Sequence, residues 1–160
     1  MMKNRVYSEK QNFWTWWLVT LFVGLFAWLL YPILLTDKTF ASSDWVGLGV
    51  LVLVLMLFFV KLHTRIDTEG ITIRFFPFVI KRTWTWDMID RVYIKKYSIV
   101  DYGGWGYRVG KNGIAYNTKG NFGLQLILKN GARIMIGTQR PEEVNNIVDT
   151  YKKMEHENNH

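Results

Sequence analysis

A glycine-rich segment is the first stretch of the chain whose residue types could do chemistry. Residues 101–113 read DYGGWGYRVGKNG, in which five of the thirteen residues are glycine and two are basic. A phosphate-binding loop needs G-x-x-x-x-G-K-[ST], because its backbone amides wrap the phosphates and its hydroxyl binds magnesium. Here the glycines on either side of Arg108 stand one residue too close together, and Asn112 replaces the hydroxyl residue. The dinucleotide fingerprint G-x-G-x-x-G also fails on spacing, so we predict no nucleotide cofactor.

Turn formation accounts for the glycines of this segment. Asn112-Gly113 is typical of a two-residue hairpin turn between YRV and IAY, and Gly103-Gly104 favours a bend or a bulge. Neither turn explains Trp105, for which three locations remain open: the domain core, a bilayer interface or the pocket of a partner. Because Trp and Arg are favoured anchors of protein interfaces, we predict a partner-binding set in this segment, comprising Tyr102, Trp105, Tyr107, Arg108 and Lys111.

The last five residues, HENNH at 156–160, match the zinc-protease motif H-E-x-x-H. Such a site needs a rigid buried helix, a third protein ligand and a substrate cleft, and a polar chain end offers none of these. The chain has no cysteine, which excludes thiolate metal sites and cysteine nucleophiles. We therefore predict no catalytic residue, no metal site and no cofactor, and we expect that the protein is not an enzyme. An enzyme whose site is not visible in the sequence is a distant alternative.

Two long apolar segments occupy the N-terminal part of the chain. Residues 13–35 carry no charge, and a helix needs about 20 apolar residues to cross a bilayer core. Residues 45–62 form a second, shorter apolar run. Trp14, Trp16 and Trp17 cluster at one end of the first run, as an aromatic belt would. This pattern predicts a membrane α-hairpin of two transmembrane helices, and the first run is too long for a signal peptide.

Positive charges set the predicted orientation of this hairpin. Lys and Arg precede the first run and follow the second, whereas only Lys38 lies between the runs. The positive-inside rule then places both termini in the cytoplasm, and we predict a multi-pass protein of a bacterial inner membrane. The predicted organisation is a cytoplasmic segment 1–12, transmembrane helices 13–35 and 45–62, an external loop 36–44, a cytoplasmic domain 63–153 and a polar tail 154–160.

Short alternating segments follow from residue 63 onward and predict β-strands. They are rich in β-branched and aromatic residues, and turn signals such as Asp67-Thr68-Glu69-Gly70 and Asn130-Gly131 separate them. No helical pattern interrupts them, so antiparallel pairing is expected. A C-terminal helix is predicted from Pro141, with one apolar stripe formed by Val144, Ile147, Val148 and Tyr151. The predicted fold class is thus a membrane α-hairpin plus an all-β (α+β) domain, with a β-sandwich or open barrel of about 6–7 antiparallel strands and one C-terminal amphipathic helix.

This arrangement resembles bacterial membrane proteins that carry a pleckstrin-homology-like (bPH) domain after two transmembrane helices. The segments that carry the resemblance are TEGITIRFFPFVIKRTWTWDMIDRVYIKKY, DYGGWGYR and GIAYNTKGNFGLQLILKNGARIMIGTQRPEEV, within residues 63 to about 152. The resemblance implies a pleckstrin-homology-like fold and no particular activity. Lipid-binding pleckstrin-homology domains place several Lys and Arg around the first hairpin, whereas the turn here contains Asp67 and Glu69. Specific phosphoinositide binding is therefore not expected.

Two function classes follow from these features. The first is a non-enzymatic, membrane-anchored interaction module, an accessory or assembly subunit of a larger membrane complex, whose partner is a membrane protein or a second copy of the chain. The alternative is a sensor of anionic lipid surfaces, with the bilayer as its partner and with basic residues that face it. Nucleic acid is not an expected partner, because the 20 Lys and Arg residues are dispersed. The predicted lipid-facing residues are Lys81, Arg82, Lys95 and Lys96.

Overall fold

A computed structural model of the chain describes residues 6–35, 42–98, 106–110 and 113–158, without the side chains of residues 33, 43 and 154–158. Two compact units are present, a helical unit at Asn12–Val60 and a β unit formed by residues 1–11 and 61–160. The elements follow the order β1 (Tyr7–Asn12), α1 (Trp16–Leu35), α2 (Ser42–Phe58), β2 (Lys61–Ile66), β3 (Gly70–Phe76), β4 (Val79–Thr85), a 3-10 turn (Trp86–Met88), β5 (Ile89–Lys96), β6 (Gly106–Gly110), β7 (Gly113–Asn117), β8 (Phe122–Leu128), β9 (Arg133–Thr138) and α3 (Pro141–Asn158).

The two helices of the helical unit are shorter than the apolar runs that encode them. Helix α1 begins three residues after Phe13 and includes Pro32. Helix α2 has 17 residues, carries Asp44 in its first turn and ends before Lys61, which belongs to a strand. At 1.5 Å per residue, α2 is about 25 Å long, whereas a bilayer core is about 30 Å thick. Among the described residues, none of the helices combines the length and the hydropathy that crossing a membrane requires.

This finding corrects several expectations. The predicted transmembrane helices at 13–35 and 45–62 are wrong, and with them the α-hairpin across a membrane and the multi-pass inner-membrane location with both termini cytoplasmic. Runs of apolar residues alone overestimated the helix lengths, because each run continues beyond the helix into extended or turn backbone. Phe13 illustrates this, since it precedes α1 and its backbone N–H bonds to the carbonyl oxygen of Val60 over 3.4 Å.

Helices α1 and α2 pack against each other through a small set of side chains. Phe58 makes edge-to-face contacts with Trp14 and Phe22, with ring centroids 5.5 and 5.8 Å apart. Leu18 and Val54 are buried. Many of the other described side chains of both helices are apolar and exposed, and Trp16 is 89% accessible.

Two sheets make up the β unit. The first has the order β1-β2-β3-β4 and the second the order β5-β8-β9-β7-β6. Every pair with a described register is antiparallel except β7 with β9, which run parallel. The sheets meet at Tyr116 of β7, a fully buried side chain that contacts Phe75 of β3 and Trp84 of β4, with centroids 6.2 and 6.1 Å apart.

The predicted fold class is wrong in the β unit as well as in the helices. The described residues form nine strands instead of about 6–7, and the β7–β9 pair is not antiparallel. One reason is β1, whose sequence YSEKQN is polar and carries no apolar alternation. A second reason is that an alternating pattern assigns residues to faces and leaves the identity and the direction of the neighbouring strand undetermined.

Two of the predicted turns are present. Asp67 and Gly70 exchange backbone hydrogen bonds of 3.0 and 3.3 Å, so Thr68-Glu69 is a two-residue turn between β2 and β3. The β8–β9 hairpin is also confirmed, but its loop has three residues, 129–131, because Leu128 pairs with Ala132. Gly131 has φ +82°, the left-handed conformation that closes such three-residue loops.

Helix α3 confirms the predicted C-terminal helix and its apolar stripe. Val144, Val148 and Tyr151 are buried, and Glu142 and Glu143 lie in the first turn, where they complement the helix dipole. The helix packs on β5 and β8. It extends to Asn158, beyond the predicted start of a polar tail at residue 154.

Candidate functional site

A polar cleft of about 450 Å³ lies on the outer face of the four-stranded sheet, and we call it the β2–β4 cleft. Its position follows from strand alternation. Leu62, Thr64 and Ile66 of β2 point into the core, so the residues between them point outward. Strands β3 and β4 add outward residues to the same face. The lining residues are Val6, His63, Arg65, Asp67, Thr68, Glu69, Thr72, Arg74, Lys81 and Tyr151.

The cations of the β2–β4 cleft differ in whether a carboxylate neutralises them. Arg65 donates to the Asp67 carboxylate over 2.8 Å, so these two charges neutralise each other. Asp67 also accepts the backbone N–H of Glu69 over 3.1 Å. Arg74 and Lys81 have no ion-pair or hydrogen-bond partner within the part of the chain that the structure describes. With Glu69 counted, the lining holds three cations and two carboxylates, so positive charge is in excess and neither Arg74 nor Lys81 is paired.

His63 is sensitive to this excess of positive charge. It pairs across the strands with Arg74, and its Nε2 lies 2.8 Å from the Ser8 hydroxyl. Partial burial lowers the pKa of His63 below its ordinary value of 6.5, and the charges of Lys10, Arg74 and Arg65 lower it further. At neutral pH the ring is therefore mostly uncharged.

One lining residue of the cleft, Tyr151, belongs to an aromatic pair. Tyr151 of α3 stacks on Trp86 with centroids 5.5 Å apart, and the Trp86 indole N–H donates to the Asp67 carbonyl oxygen over 2.9 Å. Burial, with a smaller effect from the Asp67 charge, raises the pKa of the Tyr151 phenol. The phenol therefore stays protonated at neutral pH.

The predicted partner-binding set is only partly within the described residues. Tyr107 and Arg108 lie on β6, the last strand of the five-stranded sheet as described. Tyr107 packs on Tyr116 with centroids 5.3 Å apart, and Arg108 is exposed opposite Ala115. Tyr102, Trp105 and Lys111 lie outside the described residues.

The four predicted lipid-facing residues do not share one surface. Lys81 and Arg82 are consecutive on β4, and Lys95 and Lys96 are consecutive on β5, so each pair points to opposite faces of its sheet. Lys81 lines the β2–β4 cleft. Arg82 lies over Trp84 and donates to the Tyr116 hydroxyl, and Lys96 lies over the Phe122 ring at 5.9 Å.

A buried polar network anchors β1. Both oxygens of the Glu9 carboxylate accept hydrogen bonds, and the side chain is only 5% accessible. The donors are uncharged: the Tyr7 hydroxyl at 2.6 Å, the Thr138 hydroxyl at 2.7 Å, the Gln139 backbone N–H at 2.8 Å and the Gln11 amide at 3.0 Å. Burial, with the hydrogen bond to Glu9, raises the pKa of the Tyr7 phenol. The network joins β1 to the end of β9.

Of the cleft residues, only Lys81 belonged to a predicted set, the lipid-facing one, although the sequence contains one signal for another part of the cleft. A two-residue turn at Thr68-Glu69 fixes the β2–β3 register, and that register places His63 opposite Arg74. The contribution of Lys81 has no such signal, because the β3–β4 register shifts between Ile73 and Phe75. Tyr151 is distant in sequence and joins the cleft only in the folded chain.

Among the described side chains, there is no group of three or more His, Asp or Glu residues that could hold a metal ion. The HENNH segment at 156–160 falls outside them.

Comparison with known proteins gives no family. No protein-family model matches the chain, and no curated protein is significantly similar to it. The resemblance to bacterial pleckstrin-homology-like proteins stays a prediction from sequence, and the arguments that follow depend on the geometry of the chain itself.

Proposed function

We propose that the protein is an interaction module rather than an enzyme, and that it binds an extended segment of a partner protein along strand β6. The observation that carries the proposal is the open edge of the five-stranded sheet. Val109 and Tyr107 of β6 are 69% and 38% accessible, and within the described residues no strand pairs with the far side of β6. An unpaired strand edge is a template for an added strand.

The backbone N–H and C=O groups of β6 face β7 and the open edge at alternate residues. The Gly106 N–H donates toward β7, to the Asn117 side-chain oxygen at 2.8 Å. Successive residues of a strand direct their N–H and C=O groups to opposite edges, so Arg108 also faces β7. Tyr107 and Val109 then direct their backbone groups to the open edge. An added strand would pair with these two residues.

Charge favours an acidic partner segment over a second copy of the chain. Arg108 stands at the middle of β6 and has no ion-pair partner among the described residues. Antiparallel pairing of two β6 strands about their middle residue would bring one Arg108 beside the other, and like charges at such positions are destabilising. A Glu or Asp in the added strand would instead pair with Arg108. The whole chain carries a formal charge of +7, which also favours an acidic partner.

Amide hydrogen exchange of the full chain tests this arrangement. The probe is a synthetic peptide that alternates Thr and Glu, with a Thr and Lys peptide as its matched control. The Glu peptide should slow exchange of the Tyr107 and Val109 amides and leave the Arg108 amide unchanged, because only the first two face the open edge. The Lys peptide should slow neither.

Two variants of one position separate backbone pairing from side-chain contact. Val109→Pro removes an outward N–H and should abolish peptide binding, whereas Val109→Thr keeps that N–H and should retain most of it. Equal binding by both variants would contradict strand addition. A dimer of the chain that Val109→Pro dissociates would assign the edge to a second copy and overturn the proposed partner.

A further inference from the structure

We infer that the β2–β4 cleft binds a phosphate-bearing ligand, with Arg74 and Lys81 as the side chains that hold the phosphate and His63 beside them. This inference goes beyond the proposed function, because the cleft lies on the four-stranded sheet and β6 belongs to the other sheet. Either of the two can fail without the other.

The charge arrangement of the cleft is the first argument. Arg74 projects from β3 and Lys81 from β4, and the register places Arg74 opposite the segment that contains Lys81. Like charges on neighbouring strands are destabilising unless an anion lies between them. Asp67 does not serve this purpose, because its carboxylate is bound to Arg65 and to a backbone N–H. Glu69 also lines the cleft but forms no ion pair with either cation. Arg74 and Lys81 thus suit an added anion.

The chemistry of the donors selects the type of anion. A guanidinium offers paired N–H groups that match the oxygens of a phosphate, and a lysine ammonium adds a point charge. His63, whose ring faces Arg74 and Ser8, can gain a proton when an anion arrives. The positive charges that surround this ring come from Lys10, Arg65 and Arg74, and no carboxylate is among its principal electrostatic neighbours.

The size of the cleft indicates a ligand larger than a single phosphate ion. A volume of about 450 Å³ falls within the range of small-molecule sites. Tyr151, held by its stack on Trp86, lines the same cleft and supplies an aromatic surface. A phosphorylated small molecule and a phosphate headgroup at a lipid surface share this chemistry, and the experiment separates the two sources.

Glu69 provides a test of the opposite sign. It lines the cleft with a carboxylate that no described cation neutralises. Its charge opposes that of the ligand. Removing the charge should therefore strengthen binding, whereas removing Arg74 or Lys81 should weaken it. A nonspecific attraction to the net charge of the chain would not distinguish these positions from a distant one.

Titration of the full chain with pyrophosphate, followed by calorimetry and by the His63 ring resonances, tests the inference. We expect saturable binding that raises the pKa of His63. Arg74→Gln and Lys81→Gln should each weaken binding by roughly tenfold or more, since each removes a hydrogen bond to a charged group. Glu69→Gln should tighten it. Lys129→Gln, an equal charge change in the exposed β8–β9 loop, should have little effect.

Vesicles give the second arm of the experiment. Phosphatidylcholine vesicles with and without phosphatidic acid are tested on the same variants. If the chain binds vesicles with phosphatidic acid but not pyrophosphate, and binding depends on Arg74 and Lys81, the phosphate belongs to a lipid headgroup. If the chain binds pyrophosphate, the ligand is a free phosphorylated molecule. The inference is overturned if neither probe shifts the His63 resonances at millimolar concentration, or if Lys129→Gln weakens binding as much as Arg74→Gln does.

Discussion

Arg82 of β4 donates a hydrogen bond to the hydroxyl of Tyr116 on β7, over 3.4 Å, and thereby joins the two sheets near the open β6 edge. The same guanidinium lies 5.6 Å from the centre of the Trp84 ring. Tyr116 is fully buried and also contacts Tyr107 of β6. Two residues that the sequence assigned to different surfaces, Arg82 and Tyr107, thus contact the same tyrosine.

The first prediction concerns the ionisation of Tyr116. Burial raises the pKa of its phenol, and the Arg82 charge and hydrogen bond partly offset that rise. Arg82→Gln should therefore raise the pKa of Tyr116 further, because the phenolate loses its neighbouring cation. The measurement is an alkaline titration of the tyrosine Cζ resonances. Arg91→Gln, an exposed arginine paired with Asp90, is the control and should leave the Tyr116 titration unchanged; an unchanged titration in Arg82→Gln would contradict the contact.

The second prediction concerns the buried carboxylate of Glu9. Glu9→Gln replaces one acceptor oxygen by a donor group that faces existing donors, so the free energy of unfolding should fall by about 1–3 kcal/mol. Denaturant unfolding followed by tryptophan fluorescence measures the loss. Lys10→Gln changes the next residue, which is exposed, and should alter stability by less than about 0.5 kcal/mol. Equal effects of the two variants would show that the Glu9 network does not stabilise β1.

The third prediction is a pH dependence at His63. Its pKa lies below the ordinary 6.5 in the folded chain, so the unfolded chain binds more protons as the pH falls. The His63 contribution to stability should therefore decline from about pH 6.5 down through the folded pKa and then level off. Arg74→Gln should raise the pKa of His63 toward its ordinary value, as measured from the ring resonances. A pKa at or above 6.5 in the unaltered chain would refute the electrostatic account.

The fourth prediction compares two glycines of the β6–β7 hairpin. Gly106 and Gly113 have φ +107° and +105°, so alanine is strained at both positions. A Cβ at Gly106 meets no atom within 4 Å, whereas a Cβ at Gly113 would overlap the Arg133 carbonyl oxygen on β9. Gly106→Ala should cost about 1–3 kcal/mol from backbone strain.

Gly113→Ala should cost clearly more than Gly106→Ala, because strand β9 must move as well. Thermal and denaturant unfolding of both variants measure the difference. If Gly113→Ala does not fold and Gly106→Ala does, the result still agrees with a larger loss of stability at Gly113. Similar losses in the two variants would contradict the close parallel approach of β7 and β9.

Local features of the chain could be predicted from sequence because they depend on near neighbours. The Asp67–Gly70 turn needs only its own residues, and the apolar stripe of α3 needs only helical periodicity. The same local information supports the β8–β9 hairpin, although the position of Gly131 in a three-residue loop follows from backbone geometry that the Asn-Gly pair does not specify. Apolar runs, by contrast, did not predict where α1 and α2 begin and end.

By itself the sequence determined which residues of each strand share a face and where the Asp67–Gly70 turn lies, and that turn sets the register in which His63 is opposite Arg74. Tertiary structure alone decided that polar β1 joins the first sheet, that β7 runs parallel to β9, and that Tyr151 reaches the β2–β4 cleft. The physical reason is that alternation fixes the direction of a side chain, whereas strand order depends on packing between distant segments. For β1 the decisive interactions are hydrogen bonds to Glu9 from residues more than a hundred positions away, which no local pattern encodes.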